Sequence, residues 1–332
     1  MLFRSLLVGL STAARADRLA YQRGDAVFLS ALDGKFSHKR ISLPAGDALW
    51  AVARDGRRLA WVKRVPGGAD AGLTSRAAAI FVIDSAGRRE KKLVATDGLK
   101  DRSEKRVTEI GATRPEGGAT RLDDWTPLSL GFSADGRTLY LGIARTGNAE
   151  VELATVALDA ATGAAVVDAD GRWKVLAPVA QADARDAYLC GVGAASTGEA
   201  ADASFAPLTV VRFDDESVSP LPSTATSAGK KPAYGSAILP AISPDARRIA
   251  FSSIPAGLWL ADPLGKFIKR IVSTEATRPR WSTDGKTLYF LAPRPSTGDK
   301  LHYDLYSLPA DTLTAAPKKV LDDLDSYDIV PD

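Results

Sequence analysis

Residues 132–141 read FSADGRTLYL and residues 281–290 read WSTDGKTLYF: an apolar residue, Ser, a small residue, Asp, Gly, a basic residue, then alternating apolar positions. Nearly the same phrase returns as AVARDGRRLAWV from Ala51 and AISPDARRIAFS from Ala241. Asp before Gly signals a hairpin, because Gly accepts positive φ and the Asp carboxylate can accept bonds from turn amides. Leu139 and Leu141 alternate with Tyr140 after the turn, the two-residue period of a strand. Each copy therefore reads as an antiparallel hairpin.

A second unit supplies another hairpin: VFLSALDGK from Val27, IFVIDSAGR from Ile80, TVALDAATG from Thr155, LTVVRFDDES from Leu208, LWLADPLGK from Leu258 and DLYSLPADT from Asp304. The two units alternate, and the last two copies of the first, at Asp245 and Asp284, lie 39 residues apart. Two hairpins per 40 or so residues is the arithmetic of a four-stranded propeller blade. The expectation is an all-β, six-bladed β-propeller of antiparallel blades, with seven blades as the alternative count. The interval from Asp135 to Asp245 is 110 residues, so one copy has degenerated in the fourth blade, ahead of ARDAYLCGVG.

The chain ends indicate a closed ring. DRLAYQ, from Asp17, resembles RRLAWV and RRIAFS but has no inner strand before it, and YDIVPD at the C-terminus resembles PAISPD without its return strand. The last strand then completes the first blade and removes exposed sheet edges. Residues 17–332 form one domain on this reading.

These phrases resemble the TolB-like propeller repeat, also called PD40 or WD40-like, with the pattern apolar/Trp-Ser-Pro-Asp-Gly-x-x-apolar-Ala-Phe. WSTDGKTLYF and ISPDARRIAF carry it best, with Ala246 in place of Gly. The resemblance covers most of the chain from Asp17 and implies a fold rather than an activity. TolB proteins carry an additional N-terminal α/β domain for which this chain has no room.

The N-terminus MLFRSLLVGLSTAARA has Arg4, an apolar stretch from Leu6 to Leu10 and an Ala14-Arg15-Ala16 ending, which reads as a secretory signal over residues 1–16. No other stretch is apolar enough to cross a bilayer as a helix. Export to the periplasm or the medium is expected, with a cytoplasmic protein as the alternative. The chain has 43 basic and 40 acidic residues without a polybasic run, which argues against nucleic-acid binding. Its single cysteine, Cys190, precludes an intramolecular disulfide and reads as a core residue.

Several chemistries lack their residues. No G-x-S-x-G nucleophile elbow occurs, only His38 and His302 could supply imidazole ligands, and no phosphate-binding loop is present. The acidic clusters at Asp123-Asp124, Asp214-Asp215-Glu216 and Asp322-Asp323 lack calcium-loop spacing. No catalytic residue, metal site or cofactor is assigned.

In a propeller the a–b and c–d turns share one face, and the b–c turns and d-to-a links share the other. The compact Asp-Gly turns are of the first kind. Long segments from Arg64, Thr96, Ala194, Ser223 and Pro293 fall on the second face, where binding residues usually reside. Arg64, Arg114, Arg145, Tyr234, Arg278 and Arg294 are the candidate partner-binding residues there, because Arg and Tyr dominate interface energies. The expected function is non-enzymatic binding of a cell-envelope protein; the alternative is a carbohydrate- or peptide-binding protein or enzyme with its site in the central channel.

Overall fold

The structure, a computed structural model, describes residues 17–43, 49–53, 58–65, 76–84, 90–95, 125–133, 135–145, 151–158, 165–166, 174–177, 179–184, 188–193, 196–197, 204–205, 207–214, 218–221, 234–254, 257–294, 302–313 and 315–331. The strands among them are β1 (Asp17–Arg23), β2 (Ala26–Ala31), β3 (His38–Ser42), β4 (Leu49–Val52), β5 (Arg58–Val65), β6 (Arg76–Asp84), β7 (Glu90–Ala95), β8 (Trp125–Phe132) and β9 (Thr138–Arg145). There follow β10 (Val151–Leu158), β11 (Ala165–Val166), β12 (Lys174–Ala177), β13 (Val179–Ala184), β14 (Tyr188–Gly193), β15 (Ser196–Thr197), β16 (Ser204–Phe205), β17 (Leu208–Arg212) and β18 (Val218–Pro220). The last third contains β19 (Ser236–Ile242), β20 (Ile249–Ile254), β21 (Leu258–Ala261), β22 (Ile268–Val272), β23 (Thr277–Trp281), β24 (Thr287–Arg294), β25 (His302–Pro309), β26 (Lys318–Leu324) and β27 (Ser326–Pro331).

Six antiparallel sheets result, one per blade: β27-β1-β2-β3, β4-β5-β6-β7, β8-β9-β10 with β11 and β12, β13-β14-β17-β18, β19-β20-β21-β22 and β23-β24-β25-β26. The small hairpin β15-β16 stands apart, within the b–c connection of blade 4. The C-terminal strand β27 pairs with β1, from Asp17 opposite Pro331 to Gln22 opposite Ser326, which closes the ring as the chain ends indicate. Among the described residues the sheets make six blades, each using a sequence unit once.

The recurring Ser-x-Asp-Gly phrase folds as a local hydrogen-bonded knot. In blade 6, Ser282 Oγ donates to Asp284 Oδ1 at 2.7 Å, Lys286 N donates to the same oxygen at 3.0 Å, and Thr287 N donates to Ser282 Oγ at 2.8 Å. Ser133 and Asp135 repeat it in blade 3, Ser243 and Asp245 in blade 5. The residue after Asp takes positive φ, Gly136 at 67°, Ala246 at 57° and Gly285 at 71°, as a three-residue hairpin with a left-handed last position requires.

Blade 4 holds the degenerate copy. Between the paired inner-strand and second-strand residues Ala184 and Leu189 lie two fewer residues than between Trp281 and Leu288 of blade 6. The shorter turn leaves no room for the knot, and the phrase disappears with it. Cys190 is buried in this blade, beside Val210 and Leu208, and burial pushes its thiol pKa well up.

Neighbouring blades are joined by side chains at equivalent positions. Arg248, at the start of β20, donates to Ala310 O (2.9 Å) and Gly285 O (3.3 Å) of blade 6 and lies 4.7 Å from the Trp281 ring centre. Arg58, its counterpart in β5, donates to Gly136 O of blade 3 at 2.8 Å. At the closure, the Asp17 carboxylate accepts from Thr283 N at 3.1 Å and from the Thr283 hydroxyl.

Candidate functional site: the central channel

The innermost strands β4, β8, β13, β19, β23 and β27 surround a channel of about 320 Å³. One register position in each strand recurs around it: Asp328, Ala51, Gly131, Asp183, Ala241 and Arg280 for blades 1 to 6. Blades 2, 3 and 5 thus contribute small residues and blades 4, 6 and 1 contribute charges.

Arg280 Nε donates to Asp328 Oδ1 at 3.2 Å, with the two side chains 31% and 22% exposed. Burial opposes the guanidinium charge, but Asp328 and then Asp183 outweigh it, so the Arg280 pKa is raised. Asp183 also braces the wall, its Oδ2 accepting from Ile242 N at 2.7 Å, while Gln181 Oε1 accepts from Leu239 N at 3.1 Å. Tyr327 donates from its hydroxyl to Arg278 O at 2.7 Å, and Trp281 Nε1 donates to Ala241 O at 3.1 Å.

Bulges set these directions. β13, β19 and β23 each carry an irregularity in their pairing at Gln181, Leu239 and Arg278, which take positive φ of 51°, 50° and 52°. A bulge re-aims the side chains that follow it, here Asp183, Ala241 and Arg280. Non-glycine residues in this conformation carry strain that the surrounding bonds must hold.

The sequence-derived candidates separate under this geometry. Arg278 lines the channel. Arg64 lies near the end of β5, and Arg145 and Arg294 end β9 and β24, so all three backbones stand at the long-loop ends of b strands; Arg294 is exposed, opposite His302. Arg114 lies outside the described residues. Tyr234 requires correction: it is 2% exposed, packed edge-on against Phe251 and Trp259 in the blade 5 core, with its hydroxyl 3.4 Å from Leu208 N. Its position in a Gly-Lys-rich stretch suggested a loop surface, but the ring folds back under the blade.

Sequence reading passed over Arg280, Asp328 and Asp183. The signal for two of them is present, since Arg280 and Asp328 each stand four residues before the aspartate of the repeated phrase, Asp284 and Asp332. Asp183 lacks that marker because its turn is the shortened one. Among the described residues no group of three or more His, Cys, Asp or Glu side chains is arranged to hold a metal ion.

No family model matches the chain, and no curated protein matches it. Among solved structures it is similar to TolB from Acinetobacter baumannii, at 12% identity over 96% of this chain and 68% of that one, with a TM-score of 0.57. Tricorn protease aligns at 10% identity over 96% of this chain and 34% of its own, with a TM-score of 0.47. Oligogalacturonate lyase from Vibrio parahaemolyticus aligns at 11% identity over 92% and 79%, with a TM-score of 0.48. The likeness to TolB is one of fold: the chain is a β-propeller.

Proposed function

We propose that the protein is an exported, non-enzymatic propeller that binds a protein of the cell envelope through its long-loop face. The observation that carries this reading is topological. Four of the five connections of ten residues or more between successive blade strands, those after β5, β7, β14 and β18, are b–c connections or d-to-a links and so emerge on one face of the ring; the fifth, from β10 to β12, is a c–d connection. A rigid scaffold with its variable segments on one side is the arrangement binding proteins use. The polar channel groups also serve the scaffold, since Asp183, Gln181, Trp281 and Tyr327 hold neighbouring inner strands together.

A second reading, a small carbohydrate or peptide ligand in the channel, draws support from the partly exposed Arg280–Asp328 pair and a volume at the lower end of the range for ligand pockets. In-cell crosslinking of the tagged full-length protein, followed by mass spectrometry, separates the two. Reproducible crosslinks from the long-loop face to one envelope protein support the first. Capture of nothing from an abundant, exported protein, together with stabilisation by a small ligand that is lost on Arg280→Met, overturns it in favour of the second.

A further inference from the structure

Among the described residues the exposed large apolar side chains are Phe36 (80%), Leu264 (56%) and Phe267 (40%). All three stand on c–d turns, Phe36 on that of blade 1 and the others on that of blade 5, so they share the compact-turn face, opposite the long loops. The two turns carry one motif: Gly34-Lys35-Phe36 followed by Lys39-Arg40, and Gly265-Lys266-Phe267 followed by Lys269-Arg270. A single exposed Phe needs no explanation. The same Phe between the same cations, on one face of two blades flanking blade 6, does. Phe36 also holds a φ of 55°, an unfavourable conformation for a bulky residue.

The acids of these turns are engaged within the turns themselves. Asp33 Oδ1 accepts from Lys35 N at 3.0 Å and its Oδ2 pairs with Lys35 Nζ at 3.0 Å; Asp262 Oδ1 accepts from Leu264 N at 3.1 Å and Lys266 N at 2.6 Å. Lys39, Lys266, Lys269 and Arg270, on these turns and the strands that follow them, are exposed. Arg270 keeps its guanidinium 6.0 Å from the Trp259 ring centre, further along the strand from Phe267.

The geometry points to this rim as a docking surface for an anionic phospholipid bilayer, with Phe36, Leu264 and Phe267 entering the headgroup layer and the flanking cations pairing with lipid phosphates. Apolar tips ringed by Lys and Arg suit that interface, where each nearby cation contributes through the negative surface potential. A protein groove is the less suitable occupant, because Phe36 stands on blade 1 and Leu264 and Phe267 on blade 5, with blade 6 between them. Association of this kind is weak, reversible and salt-dependent, and it leaves the long-loop face turned away from the membrane.

Purified full-length protein, sedimented with vesicles of equal parts phosphatidylglycerol and phosphatidylethanolamine, should be found with the lipid, and with phosphatidylcholine vesicles it should not. Raising the salt to about 0.5 M should release it, because screening shortens the reach of the cations. The double variant Phe36→Ser with Phe267→Ser should lower the partition coefficient at least about tenfold, at an unchanged thermal midpoint, since each removed ring contributes burial energy of that order. With Cys190 buried, Phe36→Cys gives a single reactive thiol for an environment-sensitive dye, whose emission should shift to the blue on anionic vesicles. Absence of binding, equal binding by the double variant, or a dye whose emission does not change on anionic vesicles would each overturn the assignment. No partner protein is present in these measurements, so their outcome is independent of the long-loop reading.

Discussion

Blades 5, 6, 1 and 2, contiguous through the closure, are built differently from blades 3 and 4. In the first group the strands carry a cross-strand ladder of aromatic, aromatic and cation: Phe251-Trp259-Arg270, Phe290-Tyr306-Lys319, Tyr21-Phe28-Lys39 and Trp61-Phe81-Lys92. The same positions hold Leu141-Ala154-Val175 in blade 3 and Gly191-Thr209-Pro220 in blade 4. Ring pairs such as Tyr21 with Phe28 (5.3 Å between centres) and Phe290 with Tyr306 (5.9 Å) bring contact energy that small residues lack. The cation at the outer edge guards an unpaired strand against edge-to-edge association. Four blades thus place aromatic residues and a cation in this register, and two do not.

The comparison breaks most completely at the closure. Removing residues 326–332 takes the inner strand from blade 1, the partner of Arg280 and the seat of the Trp50 indole, which donates to Ser326 Oγ at 2.8 Å. Equilibrium denaturation should lose its single cooperative transition, and the chain should aggregate through the exposed edge of β1. A truncated chain that unfolds as sharply as the whole would mean that the first four blades do not need the ring.

Within the first group, Phe290→Ala removes a fully buried ring stacked on Tyr306 and should cost about 3–5 kcal/mol in chemical denaturation. Gly191→Ala, at the corresponding buried place in blade 4, tests the same position where the aromatic ladder is missing; it removes no ring and should cost less than Phe290→Ala. Equal losses at the two sites would contradict the division. Arg248→Ala ranks next: it takes away two bonds to blade 6 and the contact with Trp281, about 1–3 kcal/mol together.

Much of this was legible in the chain because the turns are local. Ser-x-Asp-Gly closes its bonds within six residues, so the phrase repeats wherever the knot forms, and the unpaired strands at the two termini announced their own pairing. The ladder was hidden by the loops: Trp61 and Phe81 face each other across a connection of uneven length, so no fixed spacing marks them. The channel charges were hidden for another reason. Arg280, Asp328 and Asp183 come from blades 6, 1 and 4 and meet only when the ring closes, and the missing turn of blade 4 removed the marker that aligns Asp183 with the others.

The turn carboxylates give a pH test on both groups. The Asp135 pKa is lowered by the Ser133 hydroxyl and the Arg137 amide, that of Asp284 by the Lys286 amide and the Ser282 hydroxyl. For Asp245, burial pushes up but the Ser243 hydroxyl and Arg247 amide outweigh it. Groups with folded pKa values below the unfolded one stabilise above the unfolded value, and that contribution is lost as pH falls through the folded value. Thermal midpoints should therefore drop below about pH 4, and less steeply when Ser133, Ser243 and Ser282 are all replaced by Ala. An unchanged slope would mean that the knots do not hold their carboxylates charged.

The smallest expected effect isolates one methyl group. Ala246 occupies the left-handed position that Gly136 and Gly285 fill in the sister knots, and a Cβ there costs about 1–2 kcal/mol. Against this, glycine loosens the unfolded chain by about 0.4–1 kcal/mol, and the Ala246 methyl, partly buried against the blade 5 core, contributes a fraction of the usual burial energy. Strain outweighs the two by a narrow margin, so Ala246→Gly should raise stability by about 0.5 kcal/mol, read as a small upward shift in denaturation midpoint at constant slope. Gly285→Ala runs the experiment backwards. Its new Cβ would stand 3.4 Å from Pro244 Cδ, an ordinary contact, so the expected loss of about 1 kcal/mol comes from φ rather than collision. A gain from Gly285→Ala, or a loss from Ala246→Gly, would mean that methyl packing governs these turns, and blade 5 would then owe part of its firmness to the residue that departs from the repeat.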